Sequence, residues 1–221
     1  MGKNIFIFAI SIAAVVFSLP ERSISQSLSE IGLKIGVNGS ILIPEKVTFV
    51  ESSNFTEFGD FEYKPGTLIG VFIRYSFYRY FTLQPEINYI FKGAKVQKIS
   101  GVYDSASLDL NFIEIPLFLN FTLSPESPNS KVFFGGPAVS FLKSAEIYRD
   151  INRDDKTDVS ELFEKRDVGL LLGIGLKKNL VTIDFRYYHG FIAYDKTSQN
   201  NKTYNSAFII SVNFVINAKK L

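Results

Sequence analysis

The feature that most constrains this chain is a period of two in its hydrophobic residues. From Ile31 to Ile41, Leu33, Ile35, Val37 and Ile41 fall on one face of an extended segment, and Gly32, Lys34, Gly36, Asn38 and Ser40 fall on the other. Successive side chains of a strand point to opposite faces, so this alternation specifies a strand with one apolar and one polar face, and it is incompatible with a helix.

The pattern recurs along the chain. Near 67–77, Ile69, Val71, Ile73 and Tyr75 stand against Gly70, Arg74 and Ser76. Near 81–92, Leu83, Ile87, Tyr89 and Phe91 oppose Thr82, Gln84, Glu86, Asn88 and Lys92. Near 108–121, Ile113, Ile115, Leu117, Leu119 and Phe121 oppose Glu114 and Asn120, with Phe112 and Phe118 making that second face less polar. A segment near 131–142 is irregular, because Phe133 and Phe134 differ in parity and Gly135-Gly136-Pro137 interrupts it, so its facing stays open. Then Val168, Leu170, Leu172, Ile174 and Leu176 oppose Gly169, Gly173 and Gly175. Val181, Ile183, Phe185 and Tyr187 oppose Thr182, Asp184, Arg186 and Tyr188, and Phe208, Ile210, Val212, Phe214 and Ile216 oppose Ser211 and Asn213. The expected number of strands is eight.

The connections alternate as well. Those around Tyr78-Arg79-Tyr80, Ser124–Ser130 and Lys177-Lys178-Asn179 are short, whereas those near 42–66, 93–107, 143–165 and 191–203 are long and polar. In an up-and-down barrel this places every long loop at one end, the layout of membrane barrels with short periplasmic turns. Strands of about 9–12 residues suit a tilted crossing of the hydrocarbon layer. A soluble sandwich or a ligand-binding soluble barrel would also alternate. Charges at mid-strand (Lys34, Arg74, Glu86, Glu114, Asp184, Arg186) and aromatic residues near strand ends (Phe77, Tyr78, Tyr80, Phe81; Tyr89, Phe91; Tyr187, Tyr188, Phe191) favour the membrane form, with aliphatics outside and aromatic girdles at both rims.

The start of the chain stands apart from this pattern. Lys3 and Asn4 precede an apolar run from Ile5 to Leu19, which has the length of a signal-peptide core and is short for a membrane helix. Small residues in Ser23-Ile24-Ser25 place cleavage after Ser25, so residues 1–25 are expected to be a signal peptide and 26–221 the barrel domain. The chain has no Cys, which excludes a lipoprotein anchor, a thiolate nucleophile and a Cys-based metal site. The formal net charge is +2 with interspersed signs, so nucleic acid is not an expected partner. The 46% hydrophobic content comes without a second long apolar run, which argues against a helical membrane protein.

Gly32-Leu33-Lys34-Ile35-Gly36-Val37-Asn38, Leu83-Gln84-Pro85-Glu86-Ile87-Asn88-Tyr89 with Lys92-Gly93-Ala94-Lys95, and Phe112-Ile113-Glu114-Ile115-Pro116-Leu117 resemble recurring motifs of PorT-type outer-membrane β-barrel proteins of the Bacteroidetes. Gly135-Gly136-Pro137, Asp167-Val168-Gly169 through Gly175, and Arg186-Tyr187-Tyr188-His189-Gly190 extend the similarity over the mature chain. The resemblance implies an eight-stranded antiparallel transmembrane β-barrel, all-β, in the outer membrane of a Gram-negative bacterium. It implies as partners outer-membrane lipid and lipopolysaccharide, the barrel-assembly machinery during biogenesis, and an envelope protein met through outer loops or periplasmic turns. The name-giving members support a secretion and gliding apparatus, so an accessory role of that kind is implied here. One departure is that Val215 through Leu221 follow Phe214, so the chain does not end on the aromatic residue usual in assembly signals. Pro85 and Pro116 lack the N–H of a closed ladder and should mark bulges or gaps in pairing.

Candidate chemistry is sparse. Lys34, Arg74, Glu86, Glu114, Asp184 and Arg186 could be read as a carboxylate pair with cationic helpers for acid–base work. In a barrel this narrow, side chains fill the interior, and the six are expected to form a structural charge network that plugs the lumen. His189 is the only histidine, and no Ser follows within a few residues as in lipid-A-deacylating barrels, so an interfacial polar role is expected for it. Asp150, Asn152, Asp154, Asp158 and Glu161 have the spacing of positions 1, 3, 5, 9 and 12 of a calcium loop, but Asp155 replaces the turn glycine, and an acidic solvated loop is the plainer reading. Gly169, Gly173 and Gly175 lack the spacing of a nucleotide fingerprint and read as room for bulky lumen neighbours. The expected function is a non-enzymatic structural or interaction module of the envelope, without catalytic residues or cofactor. The alternatives are a narrow channel or solute- or lipid-handling barrel, and a soluble secreted barrel.

Overall fold

The computed structural model describes residues 28–44, 61–99, 103–149, 152–193 and 203–220. The expected signal segment 1–25 lies outside them. Eight long strands form the wall: β1 (Leu28–Pro44), β2 (Phe61–Tyr78), β3 (Phe81–Ile99), β4 (Tyr103–Thr122), β5 (Asn129–Arg149), β7 (Arg166–Lys178), β8 (Val181–Gly190) and β9 (Thr203–Lys220). A short β6 (Asn152–Asp158) folds back on the end of β5 and is followed by a single 3-10 turn, Ser160–Leu162. Every neighbouring pair is antiparallel, and β1 pairs with β9, which closes the ring. Closure leaves the wall without a free edge, the condition for backbone to cross hydrocarbon.

The two faces are inverted relative to a soluble protein. Along β1, Ile35 and Val37 are 52% and 56% exposed, while Lys34 is fully buried and Asn38 nearly so. The same holds on β8, where Ile183 and Phe185 face out and Asp184 and Arg186 face in. An outward belt of isoleucine, leucine, valine and phenylalanine is stable only against lipid, and this sets aside the soluble secreted barrel. On β5 the open question of facing resolves as Phe134 inward and Phe133 outward.

The strands run well beyond the expected span of about 9–12 residues needed to cross a bilayer. β1 to β5 are 17 to 21 residues long. Most of what reads as loop near 93–107 is therefore strand, β3 reaching Ile99 and β4 starting at Tyr103, and part of 143–165 is the β5–β6 hairpin. The physical reason is that an antiparallel ladder satisfies its own N–H and C=O groups in water as well as in lipid. The apolar row therefore marks where lipid touches the strand rather than where the strand ends. The alternation of ends holds: the turns at 79–80, 123–128 and 179–180 share one rim with the paired chain ends, Leu28 opposite Lys220.

The ladder has gaps without change of register beside both prolines. Pairing of β2 with β3 skips from Phe72–Glu86 to Tyr75–Leu83, and that of β4 with β5 skips from Pro116–Ala138 to Leu119–Gly135. A bulge occurs elsewhere, at Ile31/Gly32 of β1 against β9.

Candidate functional site

The lumen holds the densest chemistry. At its centre Glu86 of β3 accepts hydrogen bonds from Arg186 of β8 at 2.9 and 3.1 Å, from Gln84 at 2.6 Å and from Asn88 at 3.0 Å, and it pairs with Lys34 of β1. Arg186 also donates to Asp184 at 2.5 Å, and Asp184 accepts a bond from Asn213 of β9 at 2.6 Å. Phe118 and Phe134, edge to face at 5.2 Å, flank the guanidinium at 4.6 and 5.0 Å. A buried charge is tolerable only when it is paired and hydrogen-bonded, and each of these four ions is.

The network reaches towards the short-turn rim. Arg74 of β2 donates to Gln84 at 2.8 Å and to Glu30 at 2.5 Å, and Lys177 donates to Glu30 at 3.3 Å. Asn120 donates to the same Gln84 oxygen at 2.9 Å. Five of the six expected lumen charges are thus joined. Glu114 is the exception: it belongs to a second cluster with Lys92 at 2.7 Å, and Lys92 lies 3.7 Å from the centre of the Tyr188 ring. Tyr188 donates to Asp167 at 2.7 Å. Glu86 and Glu114 therefore do not share a site; each carboxylate has its own cation.

Tyr188 is a correction to the aromatic girdle. It is fully buried inside, as its parity with Arg186 requires, and only its neighbours Tyr187 and Phe191 face the membrane. Gln84, Asn88 and Lys92 share the parity of Glu86, and Asp167 shares that of Gly169, so the alternation already carried their signal. Glu30 has the same signal, since it shares the parity of Lys34 along an unbroken alternation.

Glycines shape the lumen as expected. A Cβ on Gly173 would lie 2.5 Å from the Phe134 ring, and one on Gly169 would lie 2.6 Å from the Tyr188 ring. Towards the long-loop rim, Leu68, Ile90, Leu110 and Phe112 of β2, β3 and β4 are buried together beside the Lys92–Glu114 pair.

The other sequence candidates lie apart. His189 faces outward and its Nδ1 is 2.9 Å from Ser206 Oγ on β9, a partner distant in sequence and brought beside it by strand pairing. Asp150 lies outside the described residues, and Asn152 and Asp154 lie on β6. Asp158 accepts the Ser160 N–H at 2.8 Å, and Glu161 pairs with Lys165 at 3.4 Å. Bonds from the Ser160 hydroxyl and N–H hold the Asp158 carboxyl below its ordinary value. Among the described residues no three His, Asp or Glu side chains converge as metal ligands.

A family model described as an outer membrane protein beta-barrel domain matches residues 22–196. No curated protein matches the chain. Among solved structures, it is similar to Neisserial surface protein A (13% identity, TM-score 0.47, covering 86% of this chain and 99% of that one). It is also similar to OprG from Pseudomonas aeruginosa (10%, 0.45, 86% and 93%). A third is Ail, the attachment invasion locus protein of Yersinia pestis, in complex with the heparin analogue sucrose octasulfate (12%, 0.41, 86% and 98%).

Proposed function

The chain belongs to the outer membrane protein beta-barrel domain family and resides in the outer membrane, and from that premise we propose that it is a closed, non-enzymatic barrel serving as a structural or docking module of the envelope. The observation that carries this reading is the saturation of Glu86. Four side chains from three strands converge on one carboxylate in mid-lumen, and buried apolar side chains with the Lys92–Glu114 pair fill the lumen beyond them. A conducting path would have to break these bonds and part the side chains beyond them. The charges have structural partners, and the described residues supply no nucleophile, base and oxyanion donor in one place, as acyl or phosphoryl transfer would require.

What remains for interaction is the outer rim. Near the outer ends of β2 and β4 Lys64 pairs with Asp109, and on the β5–β6 hairpin Lys156 pairs with Glu146, both lysines lying over the ring of Tyr148. The resemblance of the three motif segments to PorT-type barrels gives the docking proposal its specific form, an accessory to a secretion or gliding apparatus. Planar-bilayer recording of the full chain tests the closed lumen: the expected trace is flat, and steady unitary openings would favour the channel reading. Photocrosslinking from position 156 in intact cells tests docking, with one reproducible protein adduct expected and lipid adducts alone counting against it.

A further inference from the structure

We propose that the membrane-facing wall carries a site for one acyl chain of lipopolysaccharide, with the His189–Ser206 pair holding the polar part of that chain. The site is a groove of about 330 Å³ lined by Ile41, Ile43, Tyr63, Tyr187, Ser206 and Phe208. Phe208 is also a wall of a second depression, about 520 Å³, where Gly39 and Gly66 leave the surface low. Both depressions are lined by Phe208 of β9 together with residues of β1 and β2.

The pair is unusual for its surroundings. By parity His189 and Ser206 belong to the outward rows of β8 and β9, among Phe208, Tyr187 and Phe191, but Ser206 is only 1% exposed, and the half-buried imidazole is the part of the pair that reaches the surface. The imidazole packs against Phe191 at 5.5 Å and Tyr204 at 6.3 Å, and its Nδ1 is 2.9 Å from the serine hydroxyl. Among the described residues its other ring nitrogen has no hydrogen-bond partner, so the pair offers one more polar contact to whatever fills the groove. Polar groups facing lipid are costly without a partner.

Depth identifies the occupant. The pair lies at the rim opposite the short turns, which is the outer-leaflet rim, and within the aromatic girdle that marks the boundary of hydrocarbon and headgroups. The outer leaflet of an outer membrane is lipopolysaccharide. Its acyl chains begin with ester or amide carbonyls and hydroxyl groups at this depth and continue as hydrocarbon. That sequence of polar then apolar matches the imidazole–hydroxyl pair followed by the Phe208 recess. No nucleophilic step is assigned to Ser206: the described residues place no acid behind His189 and no oxyanion donors beside the hydroxyl.

The test is native mass spectrometry of the full chain in dodecylmaltoside, titrated with lipid A and, separately, with phosphatidylethanolamine. One lipid A per barrel is expected, with phosphatidylethanolamine retained more weakly. Ser206→Ala and His189→Phe should each weaken retention about five- to tenfold, the size of one lost hydrogen bond. Gly39→Leu should abolish it, because a Cβ there meets nothing nearer than Tyr63 at 3.7 Å and its branches would fill the recess. Ile174→Leu, on β7, is the control and should bind as wild type. Heat-modifiable gel migration shows which variants are folded, and Ser206→Ala, the smallest change, keeps the test decisive if another fails. Equal retention by wild type and all folded variants, or equal retention of the two lipids, would overturn the proposal.

Discussion

Arg186 on β8 grips both oxygens of Glu86 on β3 across the lumen, Nη1 to Oε2 at 2.9 Å and Nη2 to Oε1 at 3.1 Å, although three strands separate them around the ring. A two-pronged bond of this kind fixes direction as well as charge. It ties opposite walls together, and around it Lys34, Asp184 and Asn213 take their places.

Removing one side of that contact should cost more than removing both. Glu86→Gln leaves Lys34 and Arg186 buried with Asp184 as their remaining counter-charge, and destabilisation of roughly 3–5 kcal/mol is expected. The double variant Glu86→Gln with Arg186→Gln should lie closer to wild type than the sum of the single losses. Urea unfolding in vesicles measures all three; strict additivity would show that the two side chains do not act together.

More than the Glu86 network fills the lumen, so removing that network should leave it shut. Glu86→Ala with Arg186→Ala keeps Leu68, Ile90, Leu110, Phe112 and the Lys92–Glu114 pair in place, and bilayer recordings are expected to stay flat. Adding Phe112→Ala should produce openings. Conduction by the first double variant would place the whole barrier in the Glu86 network.

Gly173→Val puts methyl groups where the Phe134 ring lies, since even a Cβ would be 2.5 Å from it. The expected loss is about 1–3 kcal/mol, the usual range for overpacking. Phe134→Leu in the same chain should recover part of it. A neutral Gly173→Val by urea unfolding would mean that the ring can move aside.

Ile35 faces lipid near the middle of β1, between Ile69 and Val212. Ile35→Arg should cost roughly 2–4 kcal/mol, as for a charge at mid-bilayer on a barrel's outer face. Thr157→Arg, on β6 beyond the membrane, should be neutral. Equal effects in folding assays would contradict the placement of the belt.

In the outer hairpin, Asp158 titrates below its ordinary value because the Ser160 hydroxyl and N–H bond its charged form. A depressed carboxyl contributes stability above its unfolded value and loses it as pH falls through the folded one. Ser160→Ala should move the Asp158 midpoint upward, read by carboxyl-carbon NMR during an acid titration. An unchanged midpoint would assign the depression elsewhere.

The barrel was legible because lipid contact selects one row of side chains in every strand. Parity alone placed Lys34, Glu86, Asp184 and Arg186 inside, and it placed Tyr188 there too, against the proximity to strand ends that suggested a girdle position. Strand ends were not legible: β3 and β4 continue through polar residues because hydrogen bonding of backbone to backbone leaves no trace in hydropathy. Local sequence therefore determined which face meets lipid in every strand of the wall except β5, since period two is a property of the strand itself. Which residues meet across the lumen or the wall, Arg186 with Glu86, Glu114 with Lys92 and His189 with Ser206, was decided only by ring closure and register. Those contacts join positions far apart in the chain, and no local pattern encodes the offset between one strand and the next.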